Sequence, residues 1–298
     1  MCGIVGLLIK KPHLRPSLGQ FLLPMFDCMA DRGGDSGGLA VFSDPVDRAV
    51  RRFSLYSPNR EYDWRKLTDA LNHQTHTKSD VRFIENHATL TSPVQVPSLN
   101  AWLVQYDPAL HVLSVGRSID VYKDIGHPCE LATRYKFADL NGSHAVGHTR
   151  MATESAVTPA HSHPFTAGED FCLVHNGSLS NPYSLRRRLE KEGVRFETDN
   201  DTEAACRYLE WRMRKGDDLR TALKSAFEEL DGFFTLLMGT TNELVLVRDA
   251  FACKPAVVAE HDDYVAVSSE FRSLAHLPDI KNARLFEPQP EEIHAWKV

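Results

Sequence analysis

The chain has 298 residues, 34 Lys+Arg against 40 Asp+Glu, a formal charge of -6 and 42% hydrophobic residues. That length buries a sizeable core without covalent staples, the 17 Gly and 16 Pro exclude a collagenous or low-complexity chain, and the acidic balance offers no footprint for a nucleic-acid backbone. Six singly scattered cysteines without a CxxC pair suit a reducing compartment. The apolar start is followed, not preceded, by Lys10 and Lys11, unlike a secretory signal, and no stretch approaches the ~20 apolar residues of a bilayer span. A cytoplasmic protein without nucleic-acid or membrane partners is expected.

Cys2–Ile9 is a short apolar run bounded by Lys10, which predicts a fully buried strand. Ser17–Asp31 follows as a helix: Phe21, Leu22, Met25, Phe26 and Met29 recur at helical spacing, and Arg32-Gly-Gly ends it. Leu39–Phe42 reads as a strand. From 43 to 100 the pattern is polar and broken by Pro45, Pro58, Pro93 and Pro97, with one helix expected at Trp64–Asn72. Strands are expected at Ala101–Tyr106 and His111–Val115, then a short helix at Glu130–Phe137. Ala145–His148 and Phe171–His175 are buried-strand candidates flanking a loop through Pro159 and Pro164. Helices are expected at Asn181–Glu192, Asp201–Lys215 and Leu219–Glu229, and strands at Phe233–Met238, Leu244–Arg248, Ala256–Ala259 and Tyr264–Ser268. Strands, then a block of helices, then strands again predict an α+β fold with antiparallel sheets. No linker divides the chain, so 1–298 is read as one domain.

Cys2 carries the first chemical hypothesis. A small second residue permits removal of Met1, which leaves a thiol beside a free α-amino group. Such an amine titrates near ~7.7–8.0 and a thiol near ~8.5, so the amine can take the thiol proton near neutral pH, and N-terminal amines act as bases in this way. The bland alternative is that Cys2 merely begins a buried strand. Asn176-Gly177 can supply two donors for a developing oxyanion, or can be a two-residue hairpin turn. Arg150 has the planar fork that binds carboxylates. Asn200 or Asp201 can cap the helix that follows, with Glu203 in its first turn. His161 and His163 lack a third ligand at recognised spacing, so no metal is expected, and His148 and His163 are read as structural. Cys28, Cys129, Cys172, Cys206 and Cys253 are expected in the core.

An ordered set of segments resembles one family along nearly the whole chain. Met1-Cys-Gly-Ile-Val-Gly6, Ala30-Asp-Arg-Gly-Gly-Asp-Ser-Gly-Gly38, Gly147-His-Thr-Arg-Met-Ala-Thr153, Ala160-His-Ser-His-Pro-Phe165, His175-Asn-Gly-Ser-Leu-Ser-Asn181, Asn200-Asp-Thr-Glu203, Val247-Arg-Asp-Ala-Phe-Ala-Cys-Lys-Pro255 and Ser268-Ser-Glu270 are similar to segments of the class II glutamine amidotransferases. These are N-terminal-nucleophile enzymes that hydrolyse glutamine and pass ammonia to a synthase. The resemblance implies a four-layer αββα sandwich of two mainly antiparallel sheets, with 43–100 as a family-specific elaboration. It implies Cys2 as nucleophile, Asn176 and Gly177 as oxyanion hole, and Arg150 and Asp201 gripping the α-carboxylate and α-ammonium of L-glutamine. Thr153 and His175 join the substrate residues, while Arg32 and Asp35 brace the N-terminal residue. Two departures stand out. Met151 replaces an aromatic residue of many relatives, and Glu154 stands where amino-sugar synthases have His, so the loop over glutamine is expected to close differently.

The wording of His148–Thr158 and Val121–Gly126 most resembles free-standing amidotransferase subunits related to glutamate synthase, such as the amidotransferase chain of N-methylglutamate synthase. That implies an ammonia-accepting synthase partner carrying flavin and iron–sulfur groups, and no cofactor on this chain. The rival readings are a stand-alone γ-glutamyl amide hydrolase and a non-catalytic glutamine-sensing subunit.

Overall fold

The structure is a computed structural model that describes residues 2–152 and 156–298. In chain order the strands are β1 (Gly3–Ile9), β2 (Ser36–Phe42), β3 (Arg51–Tyr56), β4 (Asp80–Ile84), β5 (His87–Ser92), β6 (His111–Gly116), β7 (Ile119–Ile125), β8 (His144–Arg150), β9 (Phe165–Thr166), β10 (Phe171–Leu179), β11 (Gly232–Thr240), β12 (Glu243–Arg248), β13 (Val257–Glu260), β14 (Tyr264–Ser268), β15 (Arg284–Phe286) and β16 (Ile293–Lys297). The helices are α1 (Leu18–Ala30), α2 (Trp64–Thr75), α3 (Val96–Tyr106), α4 (Pro128–Arg134), α5 (Pro182–Lys191), α6 (Asp201–Arg214), α7 (Leu219–Glu229) and α8 (Phe271–Leu274).

Alternation along the strands builds the layers, because successive side chains point to opposite faces. In β1, Ile4 and Leu8 point to one side and Val5, Leu7 and Ile9 to the other, and all are buried. The strand therefore lies in the interior with both faces covered. Its sheet runs β15-β13-β14-β1-β8-β2-β7, and a second runs β16-β12-β11-β10-β9, with every pairing antiparallel. Ile4, Leu8, Phe42 and Val146 of the first sheet meet Cys172, Val174, Leu237 and Leu246 of the second. On the outer face of the first sheet, Val5, Leu7 and Leu39 pack under Leu22, Met25, Phe26 and Met29 of α1. On the outer face of the second, Leu173, Leu236 and Val245 pack under α5, α6 and α7 through Leu185, Ala205, Leu209 and Leu223. The result is the expected αββα sandwich.

The 43–100 stretch is more ordered than its composition predicts. It forms β3, β4 and β5, which join β6 in a third sheet of order β4-β5-β3-β6. Trp64, Leu67 and Leu71 of α2 and Leu99, Trp102 and Leu103 of α3 pack with Phe53, Leu55 and Leu90 of this sheet in a separate apolar cluster. The strand expected at Ala101–Tyr106 is the end of α3. Pro97 sits in its first turn, and Leu99, Trp102 and Leu103, spaced three and four apart, form a helical stripe. Trp102 also donates its indole N–H to Gln74 at 2.8 Å. Cysteine placement is a further correction. Cys172 and Cys206 are buried, Cys28 and Cys129 are half-buried, and Cys253 is exposed. Cys28 lies beside, not within, the buried stripe of α1, and Cys253 belongs to the turn after β12. Among the described residues no helix is long and apolar enough to cross a membrane.

Candidate active site

The site is built where β1 begins, β8 ends and β10 passes across the sandwich. Gly3 pairs with Thr149, and a Cβ on Gly3 would lie 2.7 Å from Thr149 Oγ1 and 2.9 Å from Met29 Cβ. Close packing at this point holds Cys2 at the mouth of the strand. The Cys2 carbonyl accepts from Arg32 Nε at 2.9 Å and from Asn176 Nδ2 at 3.2 Å, and its thiol lies 3.7 Å from the Met151 carbonyl. Arg32 in turn pairs with Glu270 at 2.8 Å. Burial alone would raise the Glu270 carboxyl, but Arg32 and Arg272 hold it below the usual carboxylate range. Next to it, Ser269 Oγ accepts from the Ile4 N–H at 3.0 Å and the Ser269 N–H donates to the Ile4 carbonyl at 3.1 Å. The Ser268-Ser-Glu270 segment therefore anchors the start of β1, a role that its local pattern does not reveal.

Asp35 does the same for the end of β8. Its N–H donates to the Arg150 carbonyl at 3.1 Å, and its carboxylate accepts from the Ala152 N–H at 2.8 Å. Arg150 is buried and donates from Nη1 to the Ala156 carbonyl at 3.0 Å. Burial pulls its guanidinium down, while Cys2, Asp35, Asp201 and Asp199 act in the opposite direction. Met151 is exposed at the rim. Thr153 and Glu154 lie outside the described residues.

Asn176 and Gly177 are inside β10, opposite Thr235 and Phe234, so the hairpin alternative does not hold. Gly177 has φ of +151°, and a Cβ there would collide with the Phe233 carbonyl oxygen and stand 2.7 Å from His175 Nε2. Only glycine fits. At the start of α6 the cap and the candidate ligand separate. The Asn200 side chain accepts from the Thr202 N–H at 2.9 Å and is the cap, whereas Asp201 Oδ2 accepts from the Leu179 N–H at 2.9 Å. Burial alone would raise the Asp201 carboxyl, but the His175 ring, 3.8 Å away, and the Leu179 and Thr202 N–H groups bring it down to about 2.

These groups surround one cleft of about 310 Å³, lined by Cys2, Arg150, Gly177, Leu179, Tyr183 and Asp201 among others, with Asn176 reaching its wall through Cys2. His175 lines it from below and is buried. His161 and His163 diverge: His161 bonds Thr158 at 2.7 Å and Asp199 at 2.8 Å, and His163 bonds Thr202 at 2.9 Å. Burial pushes His148 down to about 3 and His163 well below its ordinary value, so both are neutral. Tyr183, Asp199 and Thr202 carried no individual expectation. Thr202 stands inside the Asn200–Glu203 segment, but nothing in a linear pattern reports a hydroxyl shared between two distant rings.

A family profile described as glutamine amidotransferase domain matches residues 148–276. The glutamine amidotransferase-like protein GlxB of Rhizobium meliloti (strain 1021) is 45% identical over 297 residues, covering 99% of this chain and 98% of that one. The amidophosphoribosyltransferase of Methanocaldococcus jannaschii is 29% identical over 193 residues, 62% of this chain and 41% of its own. Among solved structures, the glutamine phosphoribosylpyrophosphate amidotransferase from B. subtilis, complexed with ADP and GMP, superposes with a TM-score of 0.62 at 18% identity. It covers 99% of this chain, which spans 47% of its length; that likeness shows the shared fold. The chain belongs to the glutamine amidotransferase family.

Proposed function

We propose that the chain hydrolyses L-glutamine to L-glutamate and ammonia through a glutamyl thioester on Cys2. The observation that carries this reading is the convergence of Cys2, Arg150, Gly177 and Asp201, from four separated segments, on one cleft. With Met1 removed, the Cys2 amine takes the thiol proton, and the sulfur attacks the side-chain carbonyl carbon of glutamine. The electron pair of that C=O bond moves onto oxygen, where Asn176 Nδ2 and the Gly177 N–H receive it. As the C–N bond breaks, the nitrogen regains the proton and leaves as ammonia. Water then attacks the thioester, the C–S bond breaks, and glutamate departs as the thiol re-forms. Arg150 holds the α-carboxylate and Asp201 the α-ammonium, with Thr153 and His175 in support, while Arg32 and Asp35 keep Cys2 in place.

The ammonia passes to a separate synthase subunit of the glutamate synthase or N-methylglutamate synthase type, a flavin and iron–sulfur protein. The wording of 148–158 and 121–126 supports that assignment, and the scattered cysteines support a cytoplasmic setting. The test is intact-mass analysis before and after incubation with the electrophilic glutamine analogue 6-diazo-5-oxo-L-norleucine, followed by peptide mapping. The expected result is loss of Met1 and a single adduct on Cys2, absent from a Cys2→Ala variant that melts as the parent does. An adduct that persists in that variant overturns the assignment of the nucleophile.

A further inference from the structure

Along the floor of the cleft runs a row of buried polar side chains, of which His148, His163 and Thr202 have no part in glutamine hydrolysis as written. His148 and His163 stack with ring centroids 4.0 Å apart. His163 Nε2 lies 2.9 Å from Thr202 Oγ1, His175 Nδ1 lies 3.1 Å from the same oxygen, and Thr202 Oγ1 lies 3.3 Å from Asp201 Oδ1. Thr202 is 1% exposed. A hydroxyl has one proton and two lone pairs, and an ionised carboxylate only accepts. Thr202 must therefore give its proton to Asp201, and both histidines must donate to Thr202. His148 Nε2, 3.1 Å from the His175 carbonyl, must donate as well. In the neutral rings of His148 and His163 this assignment leaves Nδ1 without a proton, and those two nitrogens are buried without a partner. A bare acceptor in that position is tolerable where an orphaned N–H is not. Geometry and proton count agree.

We propose that Thr202 is a positioning residue for Asp201: its hydroxyl collects the N–H groups of His163 and His175 and directs its own proton to Oδ1. The opposite oxygen, Oδ2, is held by the Leu179 N–H two residues beyond Gly177 on the same strand. The carboxylate is thus fixed at both oxygens, one through β10 and one through the imidazole row. Its distance from the oxyanion position is set before the ligand arrives. The consequence is selective for ligands that present an ammonium, because a site that holds a carboxylate in one orientation loses affinity when that orientation is released.

This inference rests on the glutamine reading, and its test separates the two. Wild type, Thr202→Val and Thr202→Ser are titrated with 6-diazo-5-oxo-L-norleucine, and the half-saturating concentration and limiting rate of Cys2 labelling are measured. Iodoacetamide, which has no α-ammonium, is run in parallel. Thr202→Val is expected to raise the half-saturating concentration about tenfold, on the scale of one charge-assisted hydrogen bond. Its limiting rate and its iodoacetamide rate should stay within about twofold of wild type, and Thr202→Ser should restore the affinity. Unchanged affinity in Thr202→Val overturns the positioning role, as does an equal fall in all three quantities, which marks general damage. Should Thr202→Val melt early, Thr202→Ala is read by the same criteria. A wild type labelled by iodoacetamide but not by the analogue refutes the glutamine reading itself.

Discussion

Gly177 shows how much one residue of this site is constrained. Its φ of +151° and the two atoms awaiting any Cβ, the Phe233 carbonyl oxygen and His175 Nε2, leave no room for a side chain. Gly177→Ala is expected to cost about 3 kcal/mol or more, combining backbone strain with overpacking, and to abolish Cys2 labelling by the glutamine analogue. Chemical denaturation and the labelling assay check the two parts. Asp201 offers a test by pH. Its folded carboxyl is brought down to about 2 from an ordinary 3.8, so its contribution to stability is fully present above about pH 4 and is lost as pH falls through the folded value. Melting temperatures of wild type and Asp201→Asn should therefore keep a constant gap from pH 6 to about 4 and converge below it. A gap that widens on acidification contradicts the assigned direction.

At the scale of elements, helices and strands are positioned by the apolar faces they must cover. The run in α1 places Leu22, Met25, Phe26 and Met29 on one stripe, and Phe26 adds an edge-to-face contact with Phe137 at 5.5 Å. Phe26→Ala should cost about 3–5 kcal/mol, the range for emptying a large aromatic site in a packed core, as read from the denaturant midpoint at unchanged slope. The periodicity of α1 and the compact apolar run of β1 were legible in the sequence because each buries its face against neighbours in the regular way. Ala101–Tyr106 was misread because a six-residue window holds less than two helical turns, too short to separate period 3.6 from a short apolar strand. Only with Leu99 included does the stripe become visible. In the third sheet β6 matches the strand expected at His111–Val115, whereas β4 escaped because it is largely exposed and shows no alternation of buried and solvated positions.

Across the whole molecule, the N-terminal residue is held by groups far away in the chain. Arg32 donates to the Cys2 carbonyl while paired with Glu270, 238 residues further on. Glu270→Gln, which keeps the shape and removes the charge, should slow Cys2 labelling several-fold at saturating analogue, since a charge-assisted pair is about twice as strong as a neutral one. A rate equal to wild type would show that Arg32 holds Cys2 without that pair. The sequence by itself determined the α+β class with antiparallel sheets, the candidate nucleophile and the order of the candidate-site segments, because these depend on local periodicity and on short runs of residue types. The tertiary structure alone decided that Asn200 caps α6 and frees Asp201, that Asn176-Gly177 lies within a strand, and that Thr202 joins His163, His175 and Asp201. The Asn200 cap is local, but the Leu179 N–H that draws Asp201 away from it, the pairing of β10 with β11 and the links from Thr202 to His163 and His175 join segments distant in the chain, and such partners are chosen by packing, which leaves no trace in the local pattern.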